Sequence, residues 1–149
     1  MRLSTIDSEI LNCIQEDIPL ESKPFEALAK RLGIEEDRLL KGISRLKDKG
    51  IIRSFAAGIS HKKLGFKSSL IALKVHPDNI KSIARQIVAY PEVTHCFLRR
   101  GAYNLWTVFI YKNNGLETFL KRMAKQVGRK NILNLPTKRQ FKLKNRISL

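Results

Sequence analysis

Acidic residues are nearly missing from the second half of this chain. Residues 61–149 carry three of them, Asp78, Glu92 and Glu117, against 19 Lys/Arg, a net of +16. Residues 1–60 carry 10 acids and 10 basic residues, a net of 0. The excess positive charge therefore sits in one half, and it calls for an anionic partner. Cysteine is scarce as well: Cys13 and Cys96 are distant and belong to no CxxC pair. That excludes a disulfide framework and a zinc site, and free thiols in a reducing compartment are the expectation. No apolar run approaches the ~20 residues of a membrane span. The opening MRLSTIDSEILNCIQED turns acidic and helical too early to read as a secretory leader, so the expected location is the cytoplasm. No Gly-rich phosphate cradle and no Ser-His-Asp arrangement stands out. What remains is a chain of 149 residues, 43% hydrophobic, enough for one ordinary domain or two small ones with real cores.

The first half reads as helices. Ile6, Ile10, Leu11 and Ile14 fall at helical spacing, with Ser4 or Thr5 placed to cap the start. PFEALAKRLG opens on Pro24 and closes on Gly33, and EEDRLLKGISRLKDKG follows with Leu39, Ile43 and Leu46 on one face and Gly50 at its end. Two short helices joined through a glycine, with a third before them, make a helix-turn-helix pattern. IIRSFAAGI, apolar and β-compatible, is the expected wing strand. From Leu64 the periodicity changes. SSLIALKV reads as a strand, and PDNIKSIARQIVAY as an amphipathic helix burying Ile80, Ile83, Ile87 and Val88. VTHCFLRR and YNLWTVFIY, turning at Gly101-Ala102, read as a hairpin. NGLETFLKRMAKQVG is a second helix, and ILNLPTKRQFKLK a last strand in which Pro136 marks an edge or bulge. The fold class is α+β: a winged helix-turn-helix domain over residues 1–60, then a ferredoxin-like βαββαβ domain over residues 61–149.

The element order, with IIRSFAAGISHKKLGF bridging the halves, resembles the leucine-responsive/AsnC family of transcription regulators. Within that superfamily PFEALAKRLGI, VTHCFLRRGAYNLW and LNLPTKRQFKLK resemble the siroheme decarboxylases. The VTH…YNLW hairpin and the LPTxRxFK tail are the specific part of the match, which spans nearly the whole chain. The resemblance implies an enzyme that removes CO2 from two acetate side chains of siroheme, with no cofactor beyond that tetrapyrrole substrate and its iron. It also implies pairing through the sheet, first with a related subunit as a heterodimer and second as a homodimer.

The charge pattern separates this reading from a DNA-binding regulator. A reader helix presents its N-terminus to the major groove, and here that end is Glu35-Glu36-Asp37. Three carboxylates there would face phosphates, and Arg38, Lys41, Arg45 and Lys47 offset them only partly. DNA is therefore not the expected partner. In the second half the run Lys121, Arg122, Lys125, Arg129 and Lys130 reads as a solvated helix face. Hairpin and tail alternate cations with aromatics instead. Period two puts His95, Phe97 and Arg99 on one face and Cys96, Leu98 and Arg100 on the other. It likewise sets Asn104, Trp106 and Val108 against Tyr103, Leu105, Thr107 and Phe109. In the tail it sets Arg139, Phe141 and Leu143 against Lys138, Gln140 and Lys142. An aromatic floor with a cationic rim suits a flat ring fringed with carboxylates, and it equally suits single-stranded nucleic acid.

With siroheme as the implied substrate, cations should hold the carboxylates that stay, because a tight ion pair to the departing one stabilises the ground state more than the transition state. Arg100, Lys138, Arg139 and Lys142 are the candidate clamps, with Tyr103 and Asn104 as hydrogen-bonding groups. The departing acetate should lie against apolar surface, for which Trp106, Leu105 and Phe97 are the candidates. The carbanion then needs a proton, and His95 is the candidate acid. His61 and His76 read as structural or exposed, and an axial bond from a histidine to the siroheme iron stays open.

Overall fold

The computed structural model describes residues 3–142 and residue 147. They form two compact units. One reaches Gly58 and takes in Lys142 and Ile147; the other spans Ile59–Phe141. Leu143, one member of the expected tail alternation, lies outside the described residues.

The first unit holds α1 (Thr5–Glu16), α2 (Pro24–Leu32) and α3 (Glu36–Asp48). Their apolar stripes meet in a core of Ile10, Leu28, Leu39, Ile43 and Leu46, closed by Ile52. Gly33 ends α2 in the left-handed region at φ 63°, the conformation that favours glycine at this junction. Gly42 marks a close approach of helices, since a Cβ there would meet Ile10 Cδ1 at 2.6 Å. Residues 53–60 have no regular structure, so the expected wing strand does not form. Every strand pairing among the described residues is made elsewhere, and a strand without a ladder partner leaves its backbone to water. Ile147 is held within this unit by exchange with the Gln15 amide, its N–H donating at 3.0 Å.

The start of α1 is braced twice. Ser4 Oγ accepts from the Asp7 N–H, and the Asp7 carboxylate accepts from the Ser4 N–H, a reciprocal capping box. Asp7 is also buried and bonded by the Arg45 guanidinium from α3. That bond, then the Ser4 hydroxyl, holds the Asp7 carboxyl below its ordinary 3.8. A depressed carboxyl contributes stability that is full above its unfolded pKa and is lost as pH falls through the folded value. Ser4→Ala is expected to cost about 1 kcal/mol. Asp7→Asn should flatten the decline in thermal stability below about pH 4. Melting curves of the two variants between pH 3 and 7 check both.

The second unit is a four-stranded antiparallel sheet in the order β2-β3-β1-β4. Its strands are β1 (Lys67–Leu73), β2 (Val93–Leu98), β3 (Leu105–Tyr111) and β4 (Ile132–Pro136). After β1 a short 3-10 turn, Pro77–Asn79, leads into α4 (Ile80–Val88); α5 (Gly115–Val127) follows β3. Both helices pack on the face carrying Ile71, Leu73, Leu105 and Phe109, with Ile83, Ile87, Phe119 and Met123 as their contribution. Phe109 and Phe119 stack at 4.7 Å and Tyr90 meets Phe119 edge-on at 5.0 Å. This is the ferredoxin-like plan. Val88, the last residue of this nine-residue helix, leaves the expected stripe and is exposed, while Ile83 and Ile87 are buried and Ile80 packs beside them.

The tail strand is shorter than expected. β4 stops at Pro136, opposite Ser69, with one further bond from the Thr137 N–H to the Ser68 carbonyl. Proline has no N–H for the ladder and β1 begins at Lys67, so the tail soon runs out of partner strand. Residues 138–142 therefore have no strand alternation.

Candidate active site

One face of the sheet carries no helix, and period-two geometry decides what lies on it. Across the strands Phe97, Trp106, Ala72 and Leu133 form one row. His95, Val108, Leu70 and Leu135 form the next. Phe97, Leu70, Leu133 and Leu135 are each more than a third exposed, so the face is a contiguous apolar surface of the sort that takes a ligand or a partner. Within it lies a hollow of about 320 Å³ lined by Leu70, Phe97, Arg99, Trp106 and Val108. The Arg99 guanidinium sits over the Phe97 ring at 5.5 Å. The hollow thus has an aromatic floor and a cation at its rim.

His95 flanks this hollow, exposed, with its ring 5.8 Å from that of Phe97. A register shift between Val93 and His95 puts it there. Val93 and Cys96 both pack toward the helices, three residues apart, so Thr94 is the extra residue that resets the alternation. The Thr94 hydroxyl lies 3.0 Å from His95 Nδ1 and donates, at 3.5 Å, to the Val108 carbonyl. With its only proton spent there, that hydroxyl accepts from Nδ1–H. Nε2 is then the nitrogen open to a ligand.

Other expected residues fall differently. Arg100 is exposed and takes no part in the hollow; Arg99, which the alternation groups with Phe97, takes its place as the rim cation. Leu105 is buried in the helix-facing core, so Val108 and Leu70 replace it as apolar lining. Asn104 is engaged as a brace. Its Nδ2 donates to the Val75 carbonyl at 2.8 Å and its Oδ1 accepts from the Val75 N–H at 3.0 Å, pinning the hairpin loop to the end of β1. The Tyr103 carbonyl accepts the Trp106 indole N–H at 2.8 Å, which fixes the Trp106 ring and uses its only donor. Asn104→Ala would leave two backbone groups of a buried residue unpaired, costing about 1–3 kcal/mol. Thermal melts of the variant should show that loss.

The tail cations separate. Lys138 lines a second cavity, at the start of β1. Arg139 lies over the Phe141 ring at 4.9 Å, exposed, and Lys142 groups with the helical unit. His76 is exposed beside Asp78, 3.3 Å away. The cations of α5 and the turn after it are exposed, as a solvated face requires. Burial pushes the Cys96 and Cys13 thiols up, away from the reactive thiolate. Among the described residues no cluster of His, Cys, Asp and Glu could hold a metal ion, and no helix is long and apolar enough to cross a membrane.

Comparison with known proteins places this geometry. Residues 7–53 match the siroheme decarboxylase NirDL-like HTH domain and residues 63–142 the AsnC-like ligand binding domain. The siroheme decarboxylase alpha subunit of Desulfovibrio desulfuricans is 34% identical over 143 residues, covering 95% of this chain and 82% of that protein. The chain belongs to the siroheme decarboxylase family. A siroheme decarboxylase of Hydrogenobacter thermophilus is 38% identical over 137 residues, but the chain spans only 41% of its length. The crystal structure of siroheme decarboxylase NirDL in co-complex with an iron-uroporphyrin III analogue superposes with a TM-score of 0.67. It is 38% identical, and the match covers 85% of this chain and 42% of that one. Escherichia coli AsnC, 16% identical with a TM-score of 0.82, shares the fold alone. Within a decarboxylase family the acid-rich start of α3 needs no DNA contact to explain it. Arg45, one of the four cations that could offset those acids, is bonded to Asp7.

Proposed function

We propose that this chain is a subunit of a cytoplasmic siroheme decarboxylase, a carboxy-lyase that removes CO2 from two acetate side chains of siroheme to give 12,18-didecarboxysiroheme in haem or haem d1 biosynthesis. The observation that carries the reading is the open sheet face: an aromatic hollow with Arg99 at its rim and His95 at its flank, in the half that holds all the excess positive charge. The hollow is shallow, so a ring lying on it keeps its other side uncovered, and a related subunit docked against the sheet would close it.

The residues divide the work. The macrocycle lies on Trp106 and Phe97. Arg99 holds a carboxylate that is retained, and one such charge-assisted bond contributes about 1.5–3 kcal/mol. The departing acetate lies over Leu70 and Val108, where exclusion of water favours dispersal of its charge. The bond between the methylene carbon and the carboxylate breaks, the electron pair stays on carbon in conjugation with the ring, and CO2 leaves. His95, having taken up a proton from water at Nε2 while Nδ1–H stays on Thr94, passes that proton to the carbon and converts it to a methyl group. Tyr103, half-buried in the loop that carries Trp106, is placed to shape the edge of the floor. The scheme calls on no cofactor beyond siroheme, whose iron arrives with the substrate.

The test is anaerobic incubation of the purified protein with siroheme, alone and with any subunit that copurifies, followed by mass spectrometry. Loss of two CO2 from the tetrapyrrole is the expected result. A shifted absorption spectrum with no mass loss reassigns the chain to tetrapyrrole binding without turnover. Salt-sensitive, sequence-selective retention of duplex DNA with no spectral change points to a regulator.

A further inference from the structure

A cavity of the sheet unit at the start of β1, about 160 Å³, is lined by His61, Lys62, Lys67 and Lys138, with Phe66 and Tyr111 among its apolar walls. Among the described residues no carboxylate lines it and none forms an ion pair with its three lysines. Like charges gathered without a counter-ion cost free energy unless an anion visits them. The turn that presents His61 and Lys62 is tightly made. Phe66 N–H donates to the His61 carbonyl at 3.0 Å and Gly65 N–H to the Lys62 carbonyl at 3.0 Å, with Gly65 at φ 79°. On the opposite wall Thr137 is tied to Ser68, hydroxyl to hydroxyl at 3.1 Å, so Lys138 is anchored at its base. These cations sit on ordered backbone and not on a loose tail.

Position relates this cavity to the hollow. Ser68, in its lining, and Leu70, in the hollow's lining, are two residues apart on β1 and share the open face, roughly 7 Å along the strand. Arg99 stands beyond the far end of the same face, further along the strands and two strands across, roughly 22 Å from Ser68 between backbone positions by the strand register. A planar ring lying over Trp106 and Phe97 would therefore present one edge of its acid fringe to Arg99 and the opposite edge to the lysines.

Resting on the proposed function, we propose that the lysine cavity at the start of β1 is a carboxylate subsite, which grips acid side chains that the reaction retains and so sets which acetates lie over the apolar floor. Lys62 and Lys138 are its principal positioning residues. With the fringe held at two opposite edges, rotation of the ring about its own axis is blocked, and that selects the groups that react.

The test measures binding of iron-uroporphyrin III, rich in carboxylates, and of iron protoporphyrin IX, poorer in them, by anaerobic spectral titration. It compares the wild type with the double variant Lys62→Gln/Lys138→Gln, with Trp106→Ala, and with Lys121→Gln/Lys125→Gln, which removes the same charge from exposed sites on α5. The subsite predicts that the Lys62/Lys138 variant loses about tenfold or more in affinity for the acid-rich ring, changes little toward the acid-poor one, and shows a flatter salt dependence. The α5 variant should stay within about twofold of wild type on both rings. Unchanged affinity in the Lys62/Lys138 variant while Trp106→Ala weakens both rings overturns the subsite and leaves the proposed function standing. Equal losses in the α5 variant overturn it too, as a general attraction. No binding by the wild type removes both readings. Circular dichroism of each variant, expected to match the wild type because all four lysines are exposed, separates these outcomes from misfolding.

Discussion

His95→Ala is expected to lower turnover of siroheme by about 10²–10⁴-fold, the range for loss of a positioned general acid, with tetrapyrrole affinity within a factor of about three. The asymmetry follows from where the ring sits. His95 lies beside the floor that Phe97 and Trp106 provide, so a bound macrocycle keeps its principal apolar contacts without it. The proton for the new methyl group is what disappears, and only the step after CO2 leaves needs it. Single-turnover experiments by mass spectrometry, read beside spectral titration, measure the two quantities separately. Thr94→Val adds a second readout. It removes the hydroxyl that engages Nδ1 and should lower turnover less than His95→Ala while leaving affinity unchanged. A His95→Ala protein with wild-type turnover takes the residue out of the acid role. Equal losses of turnover and affinity would make it a binding residue.

The location of His95 on the open face was legible in VTHCFLRR only from the histidine onward. Counting in twos from His95 groups it with Phe97 and Arg99, as the structure does; counting back to Val93 fails, because Thr94 is an extra residue with no marker in the sequence. The same alternation singled out Trp106 and Val108 against Thr107 and Phe109, and the burial of the latter pair agrees. Alternation stops being informative where pairing stops. Arg100 and Asn104 lie in the loop between β2 and β3, where loop hydrogen bonds set direction and side-chain parity does not. Pro136 announced an edge or bulge, but the length of β1, which limits β4, is a property of a strand 60 residues earlier. The wing failed for a related reason: IIRSFAAGI has the propensity of a strand, but propensity supplies no partner. The lysine cavity was half visible. Lys138 stood out in the tail, while Lys62 and Lys67, remote in sequence, join it only through the pairing of β1 with β4.

Charge and shape act together on the sheet unit. Over Ile59–Phe141 the sheet unit carries 16 Lys/Arg against three acids, a net of +13, and would attract any polyanion, so attraction alone gives no selectivity. Selectivity requires cations at fixed separations around an apolar floor. Arg99 is held by stacking on Phe97, and Lys62 and Lys138 by the turn and strand that carry them. Raising salt should therefore weaken capture of the acid-rich ring much more than that of the acid-poor one, since screening removes the long-range part and spares contact with the floor.

Along β3, adjacent residues carry opposite duties, and the second large effect comes from separating them. Phe109→Ala should destabilise the protein by about 3–5 kcal/mol, a large fraction of the 5–15 kcal/mol available to a typical domain. Phe109 is fully buried in the core beneath the helices, with Phe119, Tyr90 and Tyr111 as ring neighbours, so its loss leaves a cavity among them. Trp106, three residues earlier on the other face, is half-buried, with its indole N–H held by the Tyr103 carbonyl. Trp106→Ala should cost about 1–2 kcal/mol of stability and lower tetrapyrrole affinity by about tenfold or more, the loss of one large aromatic contact. Urea unfolding gives the first number for each variant and spectral titration the second. The sheet is a two-faced device only if the variants cross, Phe109→Ala unstable but binding where it is folded, Trp106→Ala stable but binding poorly. Parallel losses in both would mean that the open face is no more than the outer surface of the core, and the site would have to be sought elsewhere on the molecule.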